Sequence, residues 1–211
     1  MARVEMSLHQ ALAELKRLDD RIKNSLKADF VLPNRKGNSK IGSSTVEEKT
    51  NEIKGNFQRT EALITNRRRI KNAIIKANAE TTFTIDGDSY TIAEAIELKN
   101  SIGLDYDFLS ALKGQYITSK AKVEVENEAL QPKLENYLKS ILGDNDKKDQ
   151  NLVKSYTETF FKTNEWQLID PKRIAKYIED YGEKISKFET EVDYKLSEIN
   201  SKTTITVDLF D

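Results

Sequence analysis

The chain contains no cysteine, one histidine and three prolines, and nowhere in its 211 residues is there a long apolar run. Without cysteine there is no disulfide framework, no thiolate metal site and no thiol catalysis. With His9 as the sole imidazole, a transition-metal site would have to be built almost wholly of carboxylates. His9 itself stands in the first turn of an expected helix with no clustered partners. No stretch approaches the ~20 apolar residues of a membrane-spanning helix. Met1–Met6 carries one arginine and no apolar region of a secretory signal. The glycine-rich and Gly-Lys-Ser/Thr patterns that cradle phosphates are missing, and so is the Gly-x-Ser-x-Gly elbow of a serine nucleophile. Asp144, Asp146 and Asp149 have the alternation of a calcium loop. Such a loop requires glycine at its sixth position; here that position is Asp149, and Lys147 and Lys148 intrude. No catalytic, cofactor-binding or metal-binding residue is assigned, and the expectation is a protein that is not an enzyme.

What is abundant is charge, at 33% of residues against 37% apolar. That balance suits elongated helices with one wet side. The net charge is −1, but residues 1–78 hold 17 Lys and Arg against 9 Asp and Glu, and residues 79–211 hold 17 against 26. A basic half and an acidic half can complement each other within or between subunits. The densest basic cluster is Arg67, Arg68 and Arg69 with Lys71 and Lys76. Consecutive arginines fan around a helix, whereas a groove reader keeps its basic and base-reading residues on one side. Phosphate contact without sequence reading stays open as an alternative.

The apolar pattern predicts a mainly α fold of long antiparallel amphipathic helices, as a helical bundle or coiled coil, with a small β-hairpin and short terminal strands. One elongated helical domain over 1–211 is expected. It divides into a basic helical hairpin at 1–78, a β-hairpin at 79–92, a helical region at 93–200 and a C-terminal strand at 201–211. Ala2–Met6 reads as a short strand, and Ser7 as the cap of a helix of about five turns whose face is Leu8, Ala11, Leu12, Leu15, Leu18, Ile22 and Leu26. Residues 28–44 form a loop, with Pro33, Gly37 and Gly42 as breakers. Thr45 with Glu48, and Thr91 with Glu94, fit capping boxes. Between the helices they open and close, Thr82–Ile92 alternates around Asp86-Gly87, the pattern of a tight-turned hairpin. The next helix is expected to bend or end near Gly103. A further one starts at Pro132 and stops at Gly143, and a shorter one carries Val153, Tyr156, Phe160 and Phe161. The last helix should open with Asp170 as cap and Pro171 in its first turn. It presents Ile174, Ile178, Tyr181, Ile185, Phe188, Val192, Leu196 and Ile199 as one narrow seam, and closes at Asn200. Such a seam wants a partner helix, and the β-branched Thr203–Val207 after it wants a strand edge. Three edges are open to it: the Ala2–Met6 segment, the hairpin, or another subunit.

The order of an amphipathic Leu8–Leu26 helix, a second helix with Asn66-Arg67-Arg68-Arg69 and Asn78, an Asp-Gly hairpin and the helix start Thr91-Ile92-Ala93-Glu94-Ala95 resembles the septicolysin-like small helical proteins of bacteria and phages. The C-terminal Phe188-x-x-Glu191-x-Asp193-x-x-Leu196-Ser197-x-x-Asn200-x-x-Thr203-x-Ile205 resembles a pattern of virion proteins of tailed phages. Residues 104–170 have no counterpart in either resemblance. The resemblance implies a structural or assembly protein, a virion component of a tailed bacteriophage at a head–tail connector, tail or capsid-associated position. The expected partners are other copies of itself and other structural proteins, with no membrane, and the expected place is the virion, assembled in the bacterial cytoplasm. The alternatives are a nucleic-acid-associated protein using the basic N-terminal half and a septicolysin-like cytolysin. Against the last, no segment reads as a membrane-inserting hairpin.

Overall fold

The computed structural model describes residues 1–143 and 149–210; Asp144, Asp146, Lys147 and Lys148 of the calcium-like loop lie outside the described residues. The fold is mainly α. In chain order the elements are β1 (Ala2–Ser7), α1 (Leu8–Ser25), β2 (Lys40–Ile41), β3 (Ser44–Thr45), α2 (Val46–Glu80), β4 (Thr82–Ile85), β5 (Asp88–Thr91), α3 (Ile92–Glu128), α4 (Leu130–Leu142), α5 (Gln150–Asn164), α6 (Ile174–Lys202) and β6 (Thr204–Leu209). Among the described residues the strands pair only two by two, β1 with β6, β2 with β3 and β4 with β5, all antiparallel. Where the sequence reading expects one elongated domain, the chain divides into two compact units. The first is Met1–Asn100 with Lys187–Asp211, and the second is Ser101–Ser186.

The first unit is built on an αα-hairpin. Ser7 starts α1 with its hydroxyl accepting from the Gln10 N–H, and Thr45 starts α2 the same way from Glu48. Asp19 pairs with Arg67, and Asn56 Nδ2 donates to the Asp29 carbonyl at 3.1 Å, so the two helices run antiparallel. Between them lie Leu8, Ala11, Leu15 and Leu18 of α1 and Leu63, Ile70 and Ile74 of α2, all buried. Each of these leucines and isoleucines contributes about 1.5–3 kcal/mol on leaving water. The β4–β5 hairpin turns on Asp86 at φ +48° and Gly87 at φ +87°, the two left-handed positions of a primed turn. It runs straight into α3, whose first turn is capped by Thr91 and Glu94. Tyr90 of the hairpin packs on Phe188 of α6 with ring centroids 5.4 Å apart. The ion pairs Lys187–Asp86, at 3.4 Å, and Lys99–Asp193 join α6 to the hairpin and to α3.

The C-terminal strand finds its edge inside the chain. β6 lies antiparallel to β1, in register from Ala2 opposite Leu209 to Ser7 opposite Thr204. Its alternation then decides its faces: Ile205 and Val207 are buried, and Thr204, Thr206 and Asp208 are exposed. Of the three edges open to it, the strand takes the N-terminal one, so donation to a neighbouring subunit is not what satisfies it. The pairing also brings the basic residues 1–78 together with acidic residues 79–100 and 187–211 in one unit, so the two halves of opposite charge meet within the chain.

The second unit has a thin core. Leu130, Leu134 and Phe160 are buried where α4 meets α5, with Tyr137, Leu138 and Phe161 packed around them. On α3 and α6, Phe108, Tyr177 and Tyr181 form an aromatic cluster with centroids 5.4–6.4 Å apart.

Several boundaries differ from those read in the sequence. α6 starts at Ile174, not Pro171, because Arg173 takes φ +54° and breaks the turn. Asp170 still caps it, its carboxylate accepting from the Ile174 N–H at 2.9 Å. α6 ends at Lys202 rather than Asn200. α4 starts at Leu130, two residues before Pro132, which sits in the first turn where a missing N–H costs no bond. α3 runs unbroken past Gly103 to Glu128. The long α6 seam is covered by the chain itself: Ile185, Phe188, Val192 and Leu196 are buried and Ile174, Ile178, Tyr181 and Ile199 half-buried. At ~1.5 Å per residue that helix is about 44 Å long, and it needs no second copy to cover this side.

Candidate functional site

Chemistry-bearing residues are scattered. His9 is exposed in the first turn of α1. Among the described residues no three His, Asp or Glu side chains come close enough to hold a metal ion. Asp149, the described member of the calcium-like triplet, serves as the cap of α5, its carboxylate accepting from the Asn151 N–H at 2.9 Å. No helix among the described residues is long and apolar enough to cross a membrane.

The arginine cluster is divided among different duties, as fanning around a helix requires. Arg67 is bound to Asp19 across the hairpin, which holds the Asp19 carboxyl below its ordinary range and the guanidinium above. Arg69 turns the other way. Its Nη1 donates to the Asp208 carbonyl at 2.7 Å, and its guanidinium lies 4.4 Å from the centre of the Phe210 ring. Arg68 remains exposed. It lines a surface hollow of about 530 Å³ with Glu61, Thr65 and Phe210. The three side chains therefore do not converge on one ligand: two of them hold the fold of the first unit.

Beside Arg69 stands a group the sequence reading missed. Asn66, buried in the middle of α2, donates from Nδ2 to the Phe210 carbonyl at 2.9 Å and accepts at Oδ1 from the Phe210 N–H at 2.8 Å. A carboxamide matches the donor–acceptor pair of an extended peptide, so Asn66 acts as one residue of a neighbouring strand. The same device recurs in the second unit. Asn127 near the end of α3 donates to the Trp166 carbonyl at 2.9 Å and accepts from the Trp166 N–H at 2.8 Å. Lys122 lies 5.2 Å over the Trp166 ring, as Arg69 lies over Phe210. Each clamp fixes an extended segment against a long helix, through one amide and one cation.

A further exposed surface is on the second unit. α3 mixes apolar side chains with charged ones such as Asp107, Lys113, Lys120 and Glu124, and beyond Asn100 none of its residues is fully buried. Leu104, Ile117 and Val125 are exposed, and Ile169 on the strap between α5 and α6 is 94% exposed. Tyr181, on the side of α6 that faces α3, donates to Asp105 at 2.5 Å; this bond and partial burial push its phenol up to about 12. These residues can pack and hold; they form no arrangement of nucleophile and base. No protein-family model matches this chain, and neither a curated protein nor a solved structure matches it.

Proposed function

We propose that this chain is a non-enzymatic structural subunit that works by associating with copies of itself and with other structural proteins, as a virion component of a tailed bacteriophage. The observation that carries the assembly reading is the imbalance of the second unit. Within Ser101–Ser186 four large apolar side chains are buried, Leu130, Leu134, Phe160 and Ile185, while Leu104, Ile117, Val125, Ile141, Leu152 and Ile169 stand exposed. Association between subunits would cover such side chains, which the thin core of this unit leaves in water. The virion part of the reading rests on the C-terminal pattern from Phe188 to Ile205, and a connector, tail or capsid-associated position fits it equally. Light scattering tests the assembly: a species larger than 24.2 kDa is expected. A monomer at high concentration that is also absent from purified particles of the phage encoding it would refute the proposal.

A further inference from the structure

Beyond Asn100, α3 has an inner side, where Ile102, Leu109, Leu112 and Tyr116 are half-buried, and an outer side, from Gly103 to Val125, that is exposed among the described residues. We infer that this outer side docks a second copy of the chain, the two α3 helices lying antiparallel and crossing at Gly114. The inference rests on the assembly reading above and specifies the surface and the register.

Charge order along the helix chooses the direction. A two-fold axis at Gly114 puts Asp107 level with Ala121 of the second copy and one residue from the level of its Lys122, and symmetry repeats the contact. A parallel pair in register would set Asp107 on Asp107 and Lys122 on Lys122, which repel. Sliding the antiparallel pair by seven residues toward the C-terminus would set Asp107 against Glu128, again like charges. Lys122 is already held at the border of the outer side by its contact with the Trp166 ring.

The spacing agrees with the charges. Counted outward from Gly114, exposed outer residues recur at four, seven and eleven positions in both directions. Ser110 therefore meets Thr118, Asp107 meets Ala121, and Gly103 meets Val125. Val125 is 64% exposed, and glycine opposite it leaves room for its methyl groups. Among the described residues, and apart from the neighbouring backbone of α3 itself, nothing lies within 4 Å of where a Cβ would stand at Gly103 or Gly114. Glycine inside a helix is less stable there than alanine, and the chain's own packing makes no use of the space these two leave. Leu104 and Ile117, both exposed, flank the line and would be covered with it.

The absence of cysteine makes the register directly measurable. Helix axes about 8–10 Å apart, with Cα atoms about 2.3 Å from each axis, put facing Cα atoms about 3.4–5.4 Å apart, within or near disulfide reach. Full-length Gly114→Cys should oxidise to a covalent dimer. Gly103→Cys and Val125→Cys should not do so singly, because in this register each lies about 33 Å from its own copy, but their mixture should. Asp107→Lys should weaken association at least tenfold, and adding Lys122→Asp should restore it. If light scattering shows multimers but Gly114→Cys crosslinks no faster than the exposed control Ser197→Cys, the register is wrong and the assembly reading stands. If the chain is monomeric and no variant crosslinks, both fall.

Discussion

Replacing Asn66 with alanine tests how firmly the C-terminal segment is clamped to α2. The side chain makes two bonds to one peptide, at 2.9 and 2.8 Å. At about 0.5–1.5 kcal/mol each, the pair contributes roughly 1–3 kcal/mol. Two observations narrow the range. Phe210 is 40% exposed, so water can take over part of its backbone bonding. Asn66 is only 8% exposed, so the shorter side chain leaves a small gap at the base of the clamp. The expected cost is about 1–2 kcal/mol, which for a chain of this size lowers the melting temperature by about 3–6 °C. In hydrogen exchange the same energy should speed the amides of β6 by a factor of about 5–30, with the middle of α2 little changed. Asn66→Asp is the discriminating companion. It keeps an acceptor for the Phe210 N–H but sets a carboxylate against the Phe210 carbonyl, so at neutral pH it should be worse than alanine. It should recover on acidification, when the protonated acid can donate again. The reasoning is refuted if Asn66→Ala leaves both melting and β6 exchange unchanged, or if exchange rises equally throughout α2.

Other outcomes follow from the same geometry. Ile205→Ala should cost about 2–4 kcal/mol in chemical denaturation, while Thr206→Ala on the outer face changes stability by less than about 0.5 kcal/mol; equal effects would mean the ribbon faces the other way. Gly87→Val should cost about 1–2 kcal/mol at the left-handed turn and leave the helical circular-dichroism signal in place, and unchanged stability would remove the turn from the account. The Tyr181 phenol is raised to about 12 by its bond to Asp105. Its contribution to stability should therefore be full below the ordinary tyrosine range near ~10 and be lost as pH rises through about 12. Ultraviolet titration should show a late phenol that Asp105→Asn brings down; an unchanged titration in that variant would dismiss the bond.

How much could be read in advance depended on how local each signal was. The caps at Ser7, Thr45 and Thr91 and the turn at Asp86-Gly87 need only neighbours three residues away or fewer, and each stands where the pattern put it. The start of α6 was missed because Asp170-Pro171 is a valid opening whose outcome turns on the backbone angle of Arg173, which no side-chain pattern encodes. The seam of α6 was legible as a stripe, but not what covers it, since Tyr90 and Leu109 lie far away in sequence. Asn66 and Asn127 were invisible: an asparagine inside a helix reads as a wet surface residue, and only the fold brings a peptide to it. The fanning of the arginine triplet is legible in the sequence, because about 100° per residue allows nothing else.

The ribbon of β1 and β6 also governs how the molecule comes apart. Its two strands stand about two hundred positions apart, and closing so long a loop is a slow, entropically expensive event that local helices do not face. The ribbon is therefore expected to be among the last pieces to form. If it opens first as well, β6 frees an alternating segment with Ile205 and Val207 uncovered, beside a vacated β1 edge. At high concentration the β6 of one molecule can occupy the β1 of another and make every bond it made at home. Exchange of this strand is then expected to give entangled dimers, and loosening the clamp at Asn66 and Arg69 to favour them.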